Sequence, residues 1–405
     1  MFLIIPYGND RRTRRFPIVT YCLLGLNVAI FVLMLPLDRQ FVLMELGLVP
    51  AHPSISDLVT AMFLHVDVFH LGWNMLFLWL FGPNVEDALG HLEYSIFYMG
   101  SGFAAALLNH AVVHWAIPAA MDIPTIGASG AIAGILGIFA ARFYRTRIRI
   151  FWYVGILFYP IRWGTFQVST VVGLAIWFLQ QLAGGVLSLA DPMGSGVAYW
   201  SHIGGMVFGM GLAWALGLGV QGMKEYLMED AQASLEQGAT FKAAHNLRAV
   251  LAHDPDNPAV HAALARTYAM QQDPENAIPH YERSIQLYLD QGDQSNAARH
   301  YDELKHFYAN ARLDPKLEYR LAAYMLEADR HAPALALLEG IHSSHPSTPE
   351  GEISLLKIGD LFLKRLGEPR KAVEFYQRFL AEYPHSPWCR AVRVSLAEAR
   401  KAAGM

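Results

Sequence analysis

Charged residues are scarce in this chain: Asp, Glu, Lys and Arg make up 16% of its 405 residues, whereas 54% are hydrophobic. With a mean hydropathy of +0.24, the chain is too apolar for an ordinary soluble protein, and it is too long for one domain. It has only two cysteines, Cys22 and Cys389, so no disulfide framework is implied. The net charge is −4 and no basic run occurs beyond the N-terminal region, so we expect no nucleic-acid partner.

The few charges are unevenly distributed along the chain. Residues 1–223 contain 10 Lys or Arg and 10 Asp or Glu, whereas the rest of the chain contains 21 and 25. A long apolar region followed by a polar region indicates two domains that fold in different solvents. We therefore predict a membrane domain over residues 1–223 and a soluble domain over residues 224–405.

The apolar half contains uncharged stretches long enough to cross roughly 30 Å of hydrocarbon. We predict that they form an all-α bundle of six membrane helices. The predicted spans are residues 18–37, 68–85, 94–117, 126–141, 165–190 and 197–221. A further apolar run over residues 150–161 is shorter and is bracketed by Arg149 and Arg162. We interpret this run as an interfacial connection, and a continuation of the fourth helix fits the sequence equally well.

The positions of the arginines predict how the spans are oriented. Short loops that are rich in Lys and Arg stay in the cytoplasm. Four arginines precede the first span and five lie between the fourth and fifth spans, whereas the opposite loops contribute only Arg39. The N-terminus is therefore expected in the cytoplasm, and six spans return the C-terminal domain to the same side. We expect a multi-pass protein in the lipid bilayer of a bacterial inner membrane.

Polar side chains inside membrane spans are energetically costly, which makes them candidates for function. Four of them stand out in this chain: His70, Asn74, Ser129 and His202. They lie in the first turns of the second, fourth and sixth spans, which all run from outside to inside. The four side chains should therefore share one depth, a little below the outer surface.

Small residues near Ser129 and His202 predict that their two helices pack closely, because such stripes allow backbones to approach. The predicted stripes are Ser129, Ala133 and Gly137 in the fourth span, and His202, Gly205 and Gly209 in the sixth. Close packing would bring the His202 imidazole to the Ser129 hydroxyl, which is the arrangement that a serine nucleophile needs. Ser129 also begins a helix, where unpaired backbone N–H groups are available.

His70 and Asn74 are four residues apart and therefore share one helix face, so they offer two donors to an oxyanion. Each of these features also has a purely structural explanation. A serine in a glycine-rich membrane helix often only helps helices to pack. His70 and Asn74 could form an interhelical clamp, and His202 could be a satisfied core histidine. The coincidence of all four at one depth favours a chemical role.

These motifs, taken in order, resemble the rhomboid family of intramembrane serine proteases over residues 1–221. The matching elements are His65, His70-Leu71-Gly72-Trp73-Asn74-Met75, Gly82, Glu86, Gly90, Gly127-Ala128-Ser129-Gly130-Ala131, Ala198-Tyr199-Trp200-Ser201-His202-Ile203-Gly204-Gly205 and Gly209. The resemblance implies that Ser129 is the nucleophile and His202 the general base and acid. It also implies that His70, Asn74 and the backbone N–H of Ser129 form the oxyanion hole.

The resemblance assigns supporting roles to other residues near the site. His65 matches a histidine at the mouth of the site, and Gly127, Gly130 and Gly205 match glycines around it. Two features depart from what a serine protease would lead us to expect. Residues 38–60 lack the Trp-Arg pair that many rhomboids carry in the first loop. No aspartate is evident that would orient His202, so the template triad is incomplete.

The sequence predicts neither a metal nor another cofactor. It contains no His-Glu-x-x-His motif. On a helix, His65 and His70 would point about 140° apart, which is unsuitable for joint ligation of a metal.

From about residue 230 the sequence becomes amphipathic and helical, with a 34-residue period that relates Ala243 to Ala277. This region resembles a tetratricopeptide-type superhelix of about four helical hairpins, with degenerate middle units. Such arrays bind peptides or helices, so we expect a peptide or protein ligand there, and a spacer or self-association role fits equally well. Its ten histidines are scattered, which is more typical of surface residues than of ligands.

Together these features predict an intramembrane serine endopeptidase that cleaves transmembrane segments of other membrane proteins. The alternative is a non-catalytic membrane scaffold or chaperone that binds client helices while its repeats recruit partners. The presence of both Ser129 and His202 favours the protease.

Overall fold

A computed structural model of the chain describes residues 2–156, 159–191 and 196–405. These residues are predominantly helical and divide into two compact units, Met1–Glu225 and Tyr226–Met405. The predicted helical fold class is thus confirmed, and the structure adds a small sheet that the sequence did not suggest.

The first unit combines one sheet with helices that are mostly apolar. In chain order its elements are β1 (Phe2–Asn9), α1 (Ile18–Met34), α2 (Arg39–Leu46), α3 (Ile55–Thr60), α4 (Val68–Leu89), α5 (His91–Ala116), α6 (Ser129–Arg142), β2 (Arg147–Ile156), β3 (Tyr159–Ser169), α7 (Thr170–Ala190), α8 (Tyr199–Ala215) and the first part of α9 (Leu218–Glu236). Each of the six predicted spans overlaps one apolar helix of this unit.

The described helices differ in how well they suit a membrane. Helices α5 and α7 are each long and apolar enough to cross one, and two bent pairs, α3 with α4 and α8 with α9, meet the same criterion when each pair is taken together. Helices α1 and α6 are apolar but shorter. The predicted sixth span, residues 197–221, covers a bent pair of helices, because α8 stops at Ala215 and the chain bends by 67° before α9. The bend uses Gly217, whose φ of +64° is readily adopted only by glycine.

The apolar run after the fourth helix forms strands, so its interpretation as a continuation of that helix was wrong, whereas its interpretation as an interfacial connection stays a prediction. Strand β2 pairs antiparallel with β3 on one side and with β1 on the other. Ile148 and Ile150 on β2 pack against the core, whereas Arg147 and Arg149 are exposed. This alternation has the period of two that a half-buried strand requires. Residues 157 and 158 of the run lie outside the described residues.

The fifth helix consequently begins later than predicted. Residues 165–169 continue β3, where Phe166 pairs with Ile150 and Ser169 with Arg147. Helix α7 therefore starts at Thr170. The sequence could not place this start, because an apolar, β-branched segment fits either a strand or a buried helix until its partners are known.

Helix α6 lies at the centre of the first unit and is buried along most of its length. Its closest neighbour is α8, and the two backbones touch through glycines. A Cβ atom at Gly205 would collide with the carbonyl oxygen of Gly130, and one at Gly209 would collide with that of Gly134. The predicted stripe on α8 thus packs against α6. The predicted stripe on α6 was right at Gly137 and wrong by one position at its other two members, because Gly130 and Gly134 face α8 while Ser129 and Ala133 line a cavity.

A buried carboxylate fixes the end of α4 against the start of α1. Glu86 is 1% exposed. Its oxygens accept hydrogen bonds from the backbone N–H groups of Val19 and Thr20, at 2.9 and 2.8 Å, and one of them lies 2.6 Å from Nδ1 of His91. Since the first N–H groups of a helix have no partner within it, Glu86 supplies the missing acceptors for α1.

The second unit is a series of helical hairpins. It contains the end of α9 and then α10 (Thr240–Leu251), α11 (Pro258–Met270), α12 (Pro274–Asp290), α13 (Gln294–Phe307), α14 (Pro315–Glu327), α15 (His331–Ser344), α16 (Pro349–Lys364), α17 (Pro369–Glu382) and α18 (Cys389–Ala403). Leu264 and Tyr268 of α11 are buried together with Ala277 and Tyr281 of α12, in the spacing on which the repeat was predicted. Helix α13 is an additional helix between two hairpins, which accounts for the irregular middle of the pattern.

We predict that Gly205→Val destabilises the first unit. The new side chain would meet backbone atoms of α6, which cannot move aside as a flexible side chain can. We therefore expect the free energy of unfolding to fall by at least about 1–3 kcal/mol. Thermal unfolding in detergent measures the effect. Gly211→Val on the same helix is the matched control, because nothing lies within 4 Å of a Cβ built there. Equal melting temperatures for the two variants would contradict the proposed backbone contact.

Candidate active site

Ser129 is placed by a strained turn at the start of α6. Gly127, two residues earlier, has a φ of +115°, which disfavours any residue with a side chain. Its N–H donates to the carbonyl of Ala61 at 2.8 Å, and a Cβ at this position would lie 2.8 Å from the imidazole of His70. The turn therefore sets Ser129 and the first N–H groups of α6 beside His70.

The structure brings Ser129 and His202 together. Nε2 of His202 lies 2.8 Å from Oγ of Ser129, which is a hydrogen-bond distance. His202 belongs to the first turn of α8, just before Gly205 and its contact with α6. The close approach of the two backbones thus determines the distance between the two side chains.

The second ring nitrogen of His202 has a partner that sequence reasoning missed. Nδ1 lies 2.8 Å from Oε1 of Gln181 on α7. The Trp177 ring, one turn earlier on α7, lies 5.8 Å from the His202 ring between centroids. A glutamine in an apolar span indicates a candidate functional residue, because polar groups are costly there. The sequence could not single this one out, because Gln180 stands beside it and only the packing shows which of the two faces inward.

His70 and Asn74 lie on one face of α4, toward Ser129 and His202. The backbone N–H of Val66 donates to Nδ1 of His70 at 3.4 Å, which leaves Nε2 to carry the proton on the side facing Gly127. Asn74 is 6% exposed, and its Nδ2 has no hydrogen-bond partner in the described part of the chain. Both side chains thus present donors that the described part of the chain does not use.

Asp67 holds the start of α4 in place. Its carboxylate accepts a hydrogen bond from the backbone N–H of His70 at 2.8 Å. This hydrogen bond lowers the pKa of the Asp67 carboxyl. The ionised group therefore caps α4 favourably at the positive end of the helix dipole.

A cavity of about 700 Å³ opens onto these side chains. His70, Asn74, Ser129 and His202 all line it, and most of the remaining wall is apolar. A largely apolar cavity with a few convergent polar groups is typical of a ligand site. Its walls include Trp73, Phe77, Ile132, Leu136 and Trp177.

His65 does not lie on the same helix as His70, so the predicted angle between them was wrong. It precedes Asp67, the N-terminal cap of α4, and its ring lies edge-on to that of His70 with 5.1 Å between centroids. His65 is 9% exposed and neither ring nitrogen has a partner among the described residues. No cluster of three or more His, Cys, Asp or Glu suited to a metal occurs within residues 2–156, 159–191 and 196–405.

The fold and the site define a class: a polytopic helical membrane protein with a half-buried serine–histidine pair beside donors that the described residues leave unused. Comparison with known families identifies the first unit further, because residues 52–219 match the rhomboid domain. Residues 234–286 and 354–386 match tetratricopeptide repeats. The chain therefore combines a region similar to the rhomboid domain with tetratricopeptide repeats, and its apolar helices indicate an integral membrane protein.

Relatives of known name are similar over the first unit. "Rhomboid protein 1, mitochondrial" of Saccharomyces cerevisiae is 30% identical over 218 residues, which cover 53% of this chain and 57% of the yeast protein. "Putative rhomboid protease YdcA" of Bacillus subtilis is 32% identical over 82 residues, which cover 20% of this chain and 38% of that protein. The chain thus spans little more than half of the yeast relative and less of the bacterial one.

Solved structures are similar to part of the chain. The crystal structure of MamA protein aligns with 45% of this chain and 83% of its own, at 18% identity and a TM-score of 0.22. The tetratricopeptide domain of P58(IPK) aligns at 13% identity and a TM-score of 0.18, covering 83% of this chain and 98% of its own.

Proposed function

We propose that this protein is an intramembrane serine endopeptidase that hydrolyses transmembrane segments of other membrane proteins. The observation that carries the proposal is the 2.8 Å contact between Oγ of Ser129 and Nε2 of His202 in the wall of an apolar cavity. A serine hydroxyl is a weak nucleophile until an adjacent base takes its proton, and this contact provides the base.

The proposed reaction follows from the positions of the donors and acceptors. His202 Nε2 takes the proton of Ser129 as Oγ attacks the scissile carbonyl carbon, and the carbonyl oxygen becomes an oxyanion. The Ser129 N–H, His70 and Asn74 donate hydrogen bonds to this oxyanion. His202 then gives its proton to the leaving amine as the peptide C–N bond breaks. Water, deprotonated by His202, hydrolyses the resulting ester and restores Ser129.

The geometry of the first unit also supports a proposed orientation. β1 pairs with β2, and Asp10 and Arg147 exchange two hydrogen bonds, so the N-terminal arginines lie at the same end as those of β2. We place this basic end in the cytoplasm and the site near the opposite surface. We propose a bacterial inner membrane as the location. Protection of the repeats from protease in sealed, right-side-out vesicles tests this orientation.

We assign the second unit the role of recruiting a substrate tail or partner protein. Tetratricopeptide arrays present concave surfaces on which peptides bind. The competing function for the whole chain is a scaffold or chaperone that holds client helices without cutting them. The two functions differ in whether Ser129 reacts.

We predict that a fluorophosphonate probe labels the wild-type protein and does not label Ser129→Ala. Since nucleophile and base act as a unit, Ser129→Ala and His202→Ala should each abolish cleavage of a transmembrane substrate, and the double variant should be no worse. Ser101→Ala is the matched control, because Ser101 is a fully buried serine of α5 that also lies against α6. Turnover by either single variant close to that of wild type would contradict the dyad and favour the scaffold.

We predict that Asn74→Ala and His70→Ala each lower kcat by about 10- to 1000-fold while the protein stays folded, because each removes one donor to the oxyanion. Steady-state cleavage and thermal unfolding measured together separate chemistry from stability. Asn84→Ala is the control, since Asn84 is also buried on α4 but bonds Asn9 instead of lining the cavity. If both variants cleave at the wild-type rate, His70 and Asn74 are only a packing clamp.

We predict that a protein truncated after Gly238 still cleaves a generic transmembrane substrate in detergent and loses cleavage of its physiological substrate in cells. The proposed catalytic groups all precede residue 223, where we place the functional boundary. The cut must lie beyond Glu225, because Glu225 pairs with Arg11 and with the buried Arg142 at the end of α6. Breaking such a pair leaves a charge buried. An inserted but inactive truncation would show that the repeats belong to the catalytic unit.

A further inference from the structure

His202 can act as a base toward Ser129 in only one of its neutral tautomers. A neutral imidazole has one nitrogen that donates and one that accepts. To take the proton of the Ser129 hydroxyl, which lies 2.8 Å from Nε2, this nitrogen must be the acceptor, so Nδ1 must carry the hydrogen. A group that accepts a hydrogen bond from Nδ1 therefore selects the reactive form.

Gln181 supplies that acceptor. Its Oε1 lies 2.8 Å from Nδ1 of His202, and an amide oxygen can only accept. The amide is oriented by its other end, since Nε2 of Gln181 donates to the carbonyl of Trp177 at 3.4 Å. The Gln181 side chain thus meets the histidine with its oxygen.

Burial increases the influence of this contact. Gln181 is 6% exposed, so little water competes for the hydrogen bond. The Trp177 ring lies 5.8 Å from the His202 ring and limits its rotation. In the described part of the chain no carboxylate bonds His202, and the place that an aspartate takes in the template triad is occupied here by an amide.

We infer that Gln181 is a positioning residue that fixes the tautomer and the ring orientation of His202. The inference rests on the proposed function, in which His202 is the base. The hydrogen bonds of Gln181 go to Trp177 and His202, and Gln181 does not line the cavity, so it acts only through the histidine. Because it is neutral, it orients His202 without adding a charge to stabilise the imidazolium.

The test replaces Gln181 by Leu, which removes the acceptor at similar size, and by Glu, which keeps an oxygen acceptor. We expect Gln181→Leu to lower kcat by about 10- to 100-fold with KM changed less than about twofold, since orientation of the base matters in the transition state. Gln181→Glu should have a higher kcat than Gln181→Leu and retain at least about a tenth of the wild-type kcat. A Leu variant with wild-type kcat, or a Glu variant no better than Leu, would overturn the inference.

Asn27→Leu is the matched control. Asn27 is a buried amide on α1 that also donates to the carbonyl four residues earlier, at 2.7 Å to Leu23, and it does not contact His202. If Asn27→Leu and Gln181→Leu lower kcat and melting temperature alike, the effect of Gln181 is general loss of packing and the inference fails.

A second measurement does not depend on turnover. Nitrogen-15 NMR of labelled histidine, with His202→Ala to assign the signal, reports which ring nitrogen carries the hydrogen. We expect an Nδ1–H tautomer in wild type and in Ser129→Ala, and a mixture in Gln181→Leu. An unchanged tautomer in Gln181→Leu would overturn the inference. The two ideas can also fail separately. If Gln181→Leu loses the single tautomer but the wild-type protein cleaves no substrate, the inference about Gln181 holds and the proposed protease function is wrong.

Discussion

The first unit depends on a direct contact between two helix backbones. Gly205 and Gly209 of α8 lie against the carbonyl groups of Gly130 and Gly134 of α6, with no room for a methyl group. In a membrane the hydrophobic effect does not drive helices together, so close packing of small residues takes its place. The contact fixes both spacing and register of the helices, and these in turn fix the distance between Ser129 and His202.

Much of this arrangement could be predicted from the sequence because it depends on local signals. Glycines at helical spacing predicted that α6 and α8 would touch. The polar residues within apolar stretches predicted which side chains would meet, and the structure places Ser129, His202, His70 and Asn74 around one cavity. Two of the three stripe positions on α6, Ser129 and Ala133, were each misplaced by one residue, because small residues occur on adjacent faces of that helix and periodicity alone cannot choose between them.

Other features could not be predicted because they depend on contacts between distant segments. The sheet forms because residues 2–9 pair with residues 147–156, and the sequence of neither segment indicates that it pairs with the other. His65 approaches His70 because a capping aspartate starts the helix between them, which changes an angle expected from helical spacing. Gln181 is separated from His202 by 21 positions, and only the packing of α7 shows which way its amide points.

The two faces of α6 have different contacts, and this difference determines which substitutions the helix can accept during evolution. One face of the helix is committed to backbone contact with α8, where any added atom collides. The adjacent face, with Ile132 and Leu136, contributes side chains to the cavity wall. Substitutions on that face would reshape the cavity without shifting the helix axes. Under the proposed function, the set of transmembrane segments that the cavity accepts would therefore change through substitutions at a few apolar positions, while the glycines that hold the serine and histidine together stay under separate constraint.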